Sequence, residues 1–149
     1  DKQRLNVSYP FGYGLTYTTF EFEGLKLNVR NGDTHSDDTI EVSVNVKNIG
    51  ATTGKQVVQV YVVAPKGNQD KPEQELKGFA KTRLLKPGES QLLTICIPKI
   101  NLASFYAKKS AWIVDGGTYV FRIGDNSRNI LCEGKRKIKK QQEKVSVSL

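Results

Sequence analysis

With 149 residues, a net charge of +8 and an apolar share of 38%, the chain is long enough for one domain that buries roughly two thirds of the surface its unfolded form would expose. No stretch approaches the roughly 18 consecutive apolar residues of a membrane span, and Asp1 to Arg4 lead into no signal-type apolar region. One His, and two Cys that stand 36 positions apart without C-x-x-C spacing, exclude a Cys/His zinc site, so neither a metal nor a cofactor is expected.

The apolar residues are mostly Val, Ile, Leu, Phe and Tyr, with no Met, and the 13 Gly and 5 Pro fall between short apolar runs, which is a β composition. At the N-terminus, Tyr9-Pro-Phe-Gly-Tyr-Gly-Leu-Thr-Tyr17 puts four aromatic rings into nine residues. So many rings are costly to leave in water, and residues 1–17 read as an ordered linker that packs on its own domain or on a neighbour. Phe20 and Phe22 and then Leu25, Leu27 and Val29 alternate, with a change of parity at Gly24 that predicts a β-bulge. Thr39 to Lys47 is the clearest strand, with Ile40, Val42, Val44 and Val46 on one face and polar residues on the other. After the turn-rich stretch 48–54, Gln56 to Val63 is apolar on both faces and should be a central strand.

Glu75 to Leu85 reads as a weaker strand, and Lys86-Pro87-Gly88-Glu89 places Pro and Gly at the two central positions of a type II turn. Leu93, Ile95 and Ile97 carry the next strand to Pro98, and Asn101 to Tyr106 forms a connection with one short helical turn. Ala111 to Val114 is a strand, Asp115-Gly116-Gly117 a hairpin-type turn into Tyr119, Phe121 and Ile123, and Asp125-Asn126-Ser127 a turn into a last strand from Arg128 to Ile138. Turns every 8 to 15 residues without helical periodicity describe an all-β antiparallel sandwich of seven or eight strands, of immunoglobulin or fibronectin type III kind. The sandwich is placed at 18–138, followed by a polar, basic tail at 139–149. The chain does not begin with Met and is read as a piece of a longer product.

Several segments, in order, resemble one family. Tyr9 to Phe20 is similar to the passage from the second, α/β sandwich domain of family 3 glycoside hydrolases into their C-terminal fibronectin type III-like domain. Val46-Lys-Asn-Ile-Gly50 resembles a V-x-N-x-G strand end, Gly54 to Pro65 a G-x-x-V-V-Q-x-Y-V-x-x-P strand, and Glu75 to Phe79 an E-L-K-G-F element. Leu85 to Ser90 matches L-x-P-G-E-S, while Leu102 to Tyr106 and Trp112 to Gly124 resemble the elements that close that domain. Each piece is common alone, and it is their collinearity that is specific. The sequence departs from the family at Asn101, where Asp is usual, and after Gly134, where no family motif matches.

The resemblance implies a non-catalytic accessory domain whose parent hydrolyses terminal β-linked sugars, β-glucosides first, and is secreted or periplasmic. Retaining glycoside hydrolysis needs two carboxylates about 5 to 5.5 Å apart. In the family these belong to the barrel and the α/β sandwich domains, so neither maps onto this chain. Those two domains of the same polypeptide are the expected partners, met by Tyr9, Phe11, Tyr13 and Tyr17 as interdomain contacts. Asp37, Asp38, Glu73 and Glu75 read as solvated surface carboxylates, His35 as an exposed loop residue, and Gly12-x-Gly14 as too short for a phosphate cradle. Trp112, the single Trp, is placed in the sandwich core ahead of an interface or a sugar platform. Cys96 and Cys132 fall on faces that do not favour a disulfide. Six basic residues cluster at Lys135, Arg136, Lys137, Lys139, Lys140 and Lys144, leaving a nearly balanced remainder. This run is an exposed edge first and a weak polysaccharide or polyanion contact second, with no specific nucleic-acid partner expected.

Overall fold

The computed structural model describes residues 18–32, 38–65, 74–126 and 128–144. Two antiparallel sheets pack face to face. One holds β1 (Phe20–Arg30), β2 (Thr39–Asn48) and β5 (Ser90–Pro98) in the order β1-β2-β5. The other holds β4 (Glu75–Lys81), β3 (Val57–Val63), β8 (Gly117–Asn126) and β9 (Asn129–Ile138) in the order β4-β3-β8-β9. A small third sheet, ordered β10-β7-β6, is made of β6 (Ser104–Tyr106), β7 (Ala111–Val114) and β10 (Gln141–Lys144). The described residues thus form ten strands, seven in the two main sheets and three in the small one, more than the seven or eight expected.

Period-two patterning explains the sandwich directly. Ile40, Val42, Val44 and Val46 of β2 are fully buried against Val58, Val60, Tyr119, Phe121 and Ile123 from the facing sheet. Each such aliphatic side chain contributes about 1.5 to 3 kcal/mol when withdrawn from water. β3 lies between β4 and β8, the central position its apolar pattern called for. The bulge is where the parity change predicted it: the β1–β2 register shifts between Glu23 and Lys26, and Gly24 has φ +68°. The Lys86–Glu89 turn closes with the Glu89 amide donating to the Lys86 carbonyl at 2.9 Å, and Gly88 has φ +87°.

At its two long sides the sandwich closes over glycines. Gly78 of β4 lies over Ile95 of β5, and Gly134 of β9 lies over Leu25 and Leu27 of β1. A methyl group at either position would press on those side chains, which is why small residues stand where the strand edges approach.

Five expectations need correction. The strand from Glu75 ends at Lys81, because Thr82 turns inward and its Oγ1 accepts the Gln56 amide at 2.9 Å; Leu85 keeps only an isolated bridge to Gly54. The short helical turn begins earlier, at Lys99, and Ser104 to Tyr106 is strand. Asp115-Gly116-Gly117 does not close a hairpin: β7 pairs with β6 and β10 while β8 pairs with β3 and β9, so this turn moves the chain between sheets. Within the expected tail, residues 141–144 form β10 and pair with β7. Finally, Trp112 is not in the core; it points outward, 47% exposed.

Candidate functional sites at the two ends of the domain

Tyr9, Phe11, Tyr13 and Tyr17 lie outside the described residues, as do His35, Asp37 and Glu73. What the structure does describe is how the chain is held just after that aromatic stretch. Asn48, the Asn of the V-x-N-x-G segment, is fully buried at the end of β2. Its Oδ1 accepts from the Thr18 hydroxyl at 2.8 Å and from the Gly50 amide at 2.9 Å. Its Nδ2 donates to the carbonyls of Thr52 and Leu85, each at 2.8 Å. Its backbone amide donates to the Glu89 carbonyl and its own carbonyl accepts from Gly88, both at 2.8 Å. One side chain with two donors and two acceptor lone pairs therefore joins the start of β1, the β2–β3 loop and the β4–β5 turn. Gly50 packs so closely on Thr18 and Thr19 that no side chain fits there. Beside this knot Ile49 and Leu84 are exposed.

The opposite end of the sandwich carries the small sheet. One of its faces buries Tyr106, Ala111 and Ile113 as a separate apolar cluster. The Tyr106 hydroxyl donates to Asp115 Oδ1 and Oδ2 at 2.8 and 2.9 Å, and the Tyr119 hydroxyl donates to the Asp115 carbonyl at 2.7 Å. Burial, with the charges of Asp115 and Tyr106 beside it, pushes the Tyr119 phenol far above its ordinary value. The other face presents Phe105 and Trp112, which are paired directly across the two strands. Their ring centroids lie 5.3 Å apart with planes at 61°, an edge-to-face pair.

The remaining ionisable groups behave as structural ones. Asp38 is buried rather than solvated, and its Oδ1 accepts the Gly32 amide at 3.1 Å. Glu75 is exposed, as expected. Glu89 accepts the Lys86 amide at 2.7 Å, which holds its carboxyl below the usual range with help from Arg83. Burial raises the Cys132 thiol. Both cysteines are free, with Cys96 exposed on the outer face of β5. Among the described residues no three His, Cys, Asp or Glu side chains gather into a metal site. An open groove of about 530 Å³ runs along the edges of β4 and β5, lined by Leu76, Phe79, Thr94 and Cys96 among others.

Of these features, the V-x-N-x-G segment that holds Asn48 is visible in the sequence, but the role of its side chain is not. An Asn at the end of an alternating strand, two residues before Gly, was the available signal.

Residues 56–127 match the fibronectin type III-like domain family. The chain is 45% identical over 136 residues to beta-glucosidase A of Butyrivibrio fibrisolvens, covering 83% of this chain and 16% of that one. The solved structure of beta-glucosidase 3B from Thermotoga neapolitana in complex with glucose is 45% identical and superposes with a TM-score of 0.77, over 92% of this chain and 18% of that one. The GH3 beta-glucosidase of Bifidobacterium adolescentis is 31% identical with a TM-score of 0.76, over 94% and 20%. The chain thus spans about a sixth to a fifth of these relatives' length. Collinear motifs, a two-sheet sandwich and these matches agree: the chain belongs to the C-terminal fibronectin type III-like domains of family 3 glycoside hydrolases.

Proposed function

We propose that this domain is the non-catalytic accessory part of a family 3 β-glucosidase, which it stabilises and whose catalytic domains it helps to position. The observation that carries this reading is the pattern of coverage: nearly the whole chain aligns to a small fraction of several β-glucosidases. Retaining hydrolysis requires a nucleophile and an acid/base in one site. The family places both in other domains. Tyr9, Phe11, Tyr13 and Tyr17 are the proposed contacts with the preceding domain; the Thr18–Asn48 bond fixes the residue that follows them in the chain. The test compares the parent enzyme with a version truncated before residue 18, measuring p-nitrophenyl β-glucoside hydrolysis and the half-life of activity on heating. The truncated enzyme should lose thermal half-life by about ten-fold or more, the equivalent of about 1.4 kcal/mol or more, and the isolated chain should not turn over the substrate. Hydrolysis by the isolated chain, or equal half-lives, would sink the proposal.

A second reading, a polysaccharide- or polyanion-binding module, draws on the exposed Trp112 and on the basic run. Affinity electrophoresis through soluble β-glucan and through a lignin-like polyanion, at low and high salt, tests it. Absence of retardation removes it, and salt-sensitive retardation assigns it to the lysines.

A further inference from the structure

We infer that the Phe105–Trp112 pair and the lysines around it form a second docking surface, which seats on an acidic-rimmed apolar pocket of the preceding domains of the same polypeptide. This rests on the accessory-domain reading above and specifies which face of the domain does the work.

Four observations converge. A sheet face turned to water is normally polar, yet here the central outward residues are two aromatics, 40% and 47% exposed. Exposed rings of this kind are among the residue types that anchor protein interfaces. Four exposed lysines and one acidic residue stand around the strand that carries Trp112. Lys108 and Lys109, both exposed, form the turn between β6 and β7, and Lys139 and Lys140, also exposed, lead into β10 on the other edge of β7. One acidic residue, Glu143, stands opposite Trp112 in the β10 register. Lys139 and Lys140 of the basic run therefore lead directly into the strand that pairs with the one carrying Trp112. A complementary partner carries carboxylates around an apolar pocket.

The ring geometry favours a protein pocket over a sugar chain. With planes at 61° the pair makes a knob with one edge and one face, rather than two coplanar faces on which successive sugar rings could stack. Location adds a mechanical reason. β2 runs from Asn48, beside Thr18, to Thr39, which pairs with Pro98 just before the small sheet. The two ends are a strand length apart, roughly 30 Å. A linker at one end alone leaves the domain free to swing; a second anchor at the other end fixes its orientation.

Hydroxyl-radical footprinting of the parent enzyme and of the 149-residue chain tests the assignment. Trp112 should oxidise about five-fold more slowly, or less, in the parent, as expected for an anchor moved into a desolvated interface. Reversing Lys108, Lys109, Lys139 and Lys140 to Glu should return the parent's Trp112 to the isolated-chain rate, and high salt should do so in part. The same four reversals should leave the isolated chain's melting temperature within a few degrees, since exposed substitutions cost little. Equal Trp112 oxidation in both forms, with protection instead around Ile49 and Leu84, overturns this surface and leaves the accessory role standing. Equal oxidation at every residue overturns both. Suppression of Trp112 oxidation in the isolated chain by soluble β-glucan overturns the protein pocket in favour of a sugar site.

Discussion

Replacing Asn48 with Ala should be the most damaging polar substitution in the domain. The side chain makes four hydrogen bonds, to Thr18, Gly50, Thr52 and Leu85. A net worth of about 1 kcal/mol for each gives roughly 4 kcal/mol. Partial compensation lowers this. The Leu85 carbonyl keeps its bond from the Gly54 amide at 3.0 Å, and the Thr18 and Gly50 groups are near enough to the surface to meet water. The expected loss is therefore about 3 kcal/mol, a large part of the 5 to 15 kcal/mol by which a domain is stable. Urea unfolding followed by far-UV circular dichroism would show it as a midpoint lower by about 1 to 2 M at an m-value near 2 kcal/mol/M. Asn48→Asp is the isosteric control. It keeps both acceptors but sets a carboxylate against the Thr52 and Leu85 carbonyls, so its folded pKa must rise above the unfolded value of about 3.9. Its penalty is therefore absent below that pH and grows as pH rises through the folded pKa. A loss under about 1 kcal/mol for Asn48→Ala, or an Asn48→Asp stability that does not fall with rising pH, would refute the reasoning.

Three further outcomes follow from the same geometry. Gly124→Ala should cost more than about 3 kcal/mol by thermal melting, because its methyl would overlap the Asn129 backbone carbonyl in the β8–β9 hairpin, whereas Gly24→Ala, strained by φ alone in open space, should cost about 1 kcal/mol; a loss at Gly124 no larger than that at Gly24 would refute the steric argument. Tyr119→Phe should cost about 1 kcal/mol at neutral pH by removing the bond to the Asp115 carbonyl. The raised Tyr119 phenol contributes stability that is complete below its unfolded value near 10 and is lost as pH climbs toward the folded value, so the variant should lose less between neutral and strongly alkaline pH; parallel pH profiles would count against this. With a thiol reagent under native conditions Cys96 should react quickly and Cys132 slowly, both becoming equivalent in denaturant, and two equally fast native thiols would contradict the burial of Cys132.

Much of the sandwich was legible in advance for a local reason. Strand alternation at Ile40 to Val46 is written in the residues themselves, and so are the bulge at Gly24 and the turn at Pro87-Gly88, which need particular backbone angles that Gly and Pro announce. The match between motif order and family was equally local. Connections were harder. Asp115-Gly116-Gly117 reads as a hairpin because its composition suits a tight reversal, but whether the flanking strands pair depends on which sheet offers them hydrogen-bond partners. Residues 139–149 read as a tail because charge is the only local signal there, while the pairing of Gln141 to Lys144 with β7 comes from a strand some thirty residues earlier in the chain.

The sequence by itself determined the all-β class, the alternation of the long strands and the family, because each depends on residue type at short spacing. Only the tertiary structure decided which side chains of the short segments meet water. Ala-Trp-Ile-Val is too brief for its period to choose a face, and Trp112 turns outward because Ala111 and Ile113 are needed against Tyr106 on the inner one. The fourfold bonding of Asn48 is likewise a tertiary fact: its partners lie 2 to 37 residues away, and only packing brings the ends of three segments within reach of one amide.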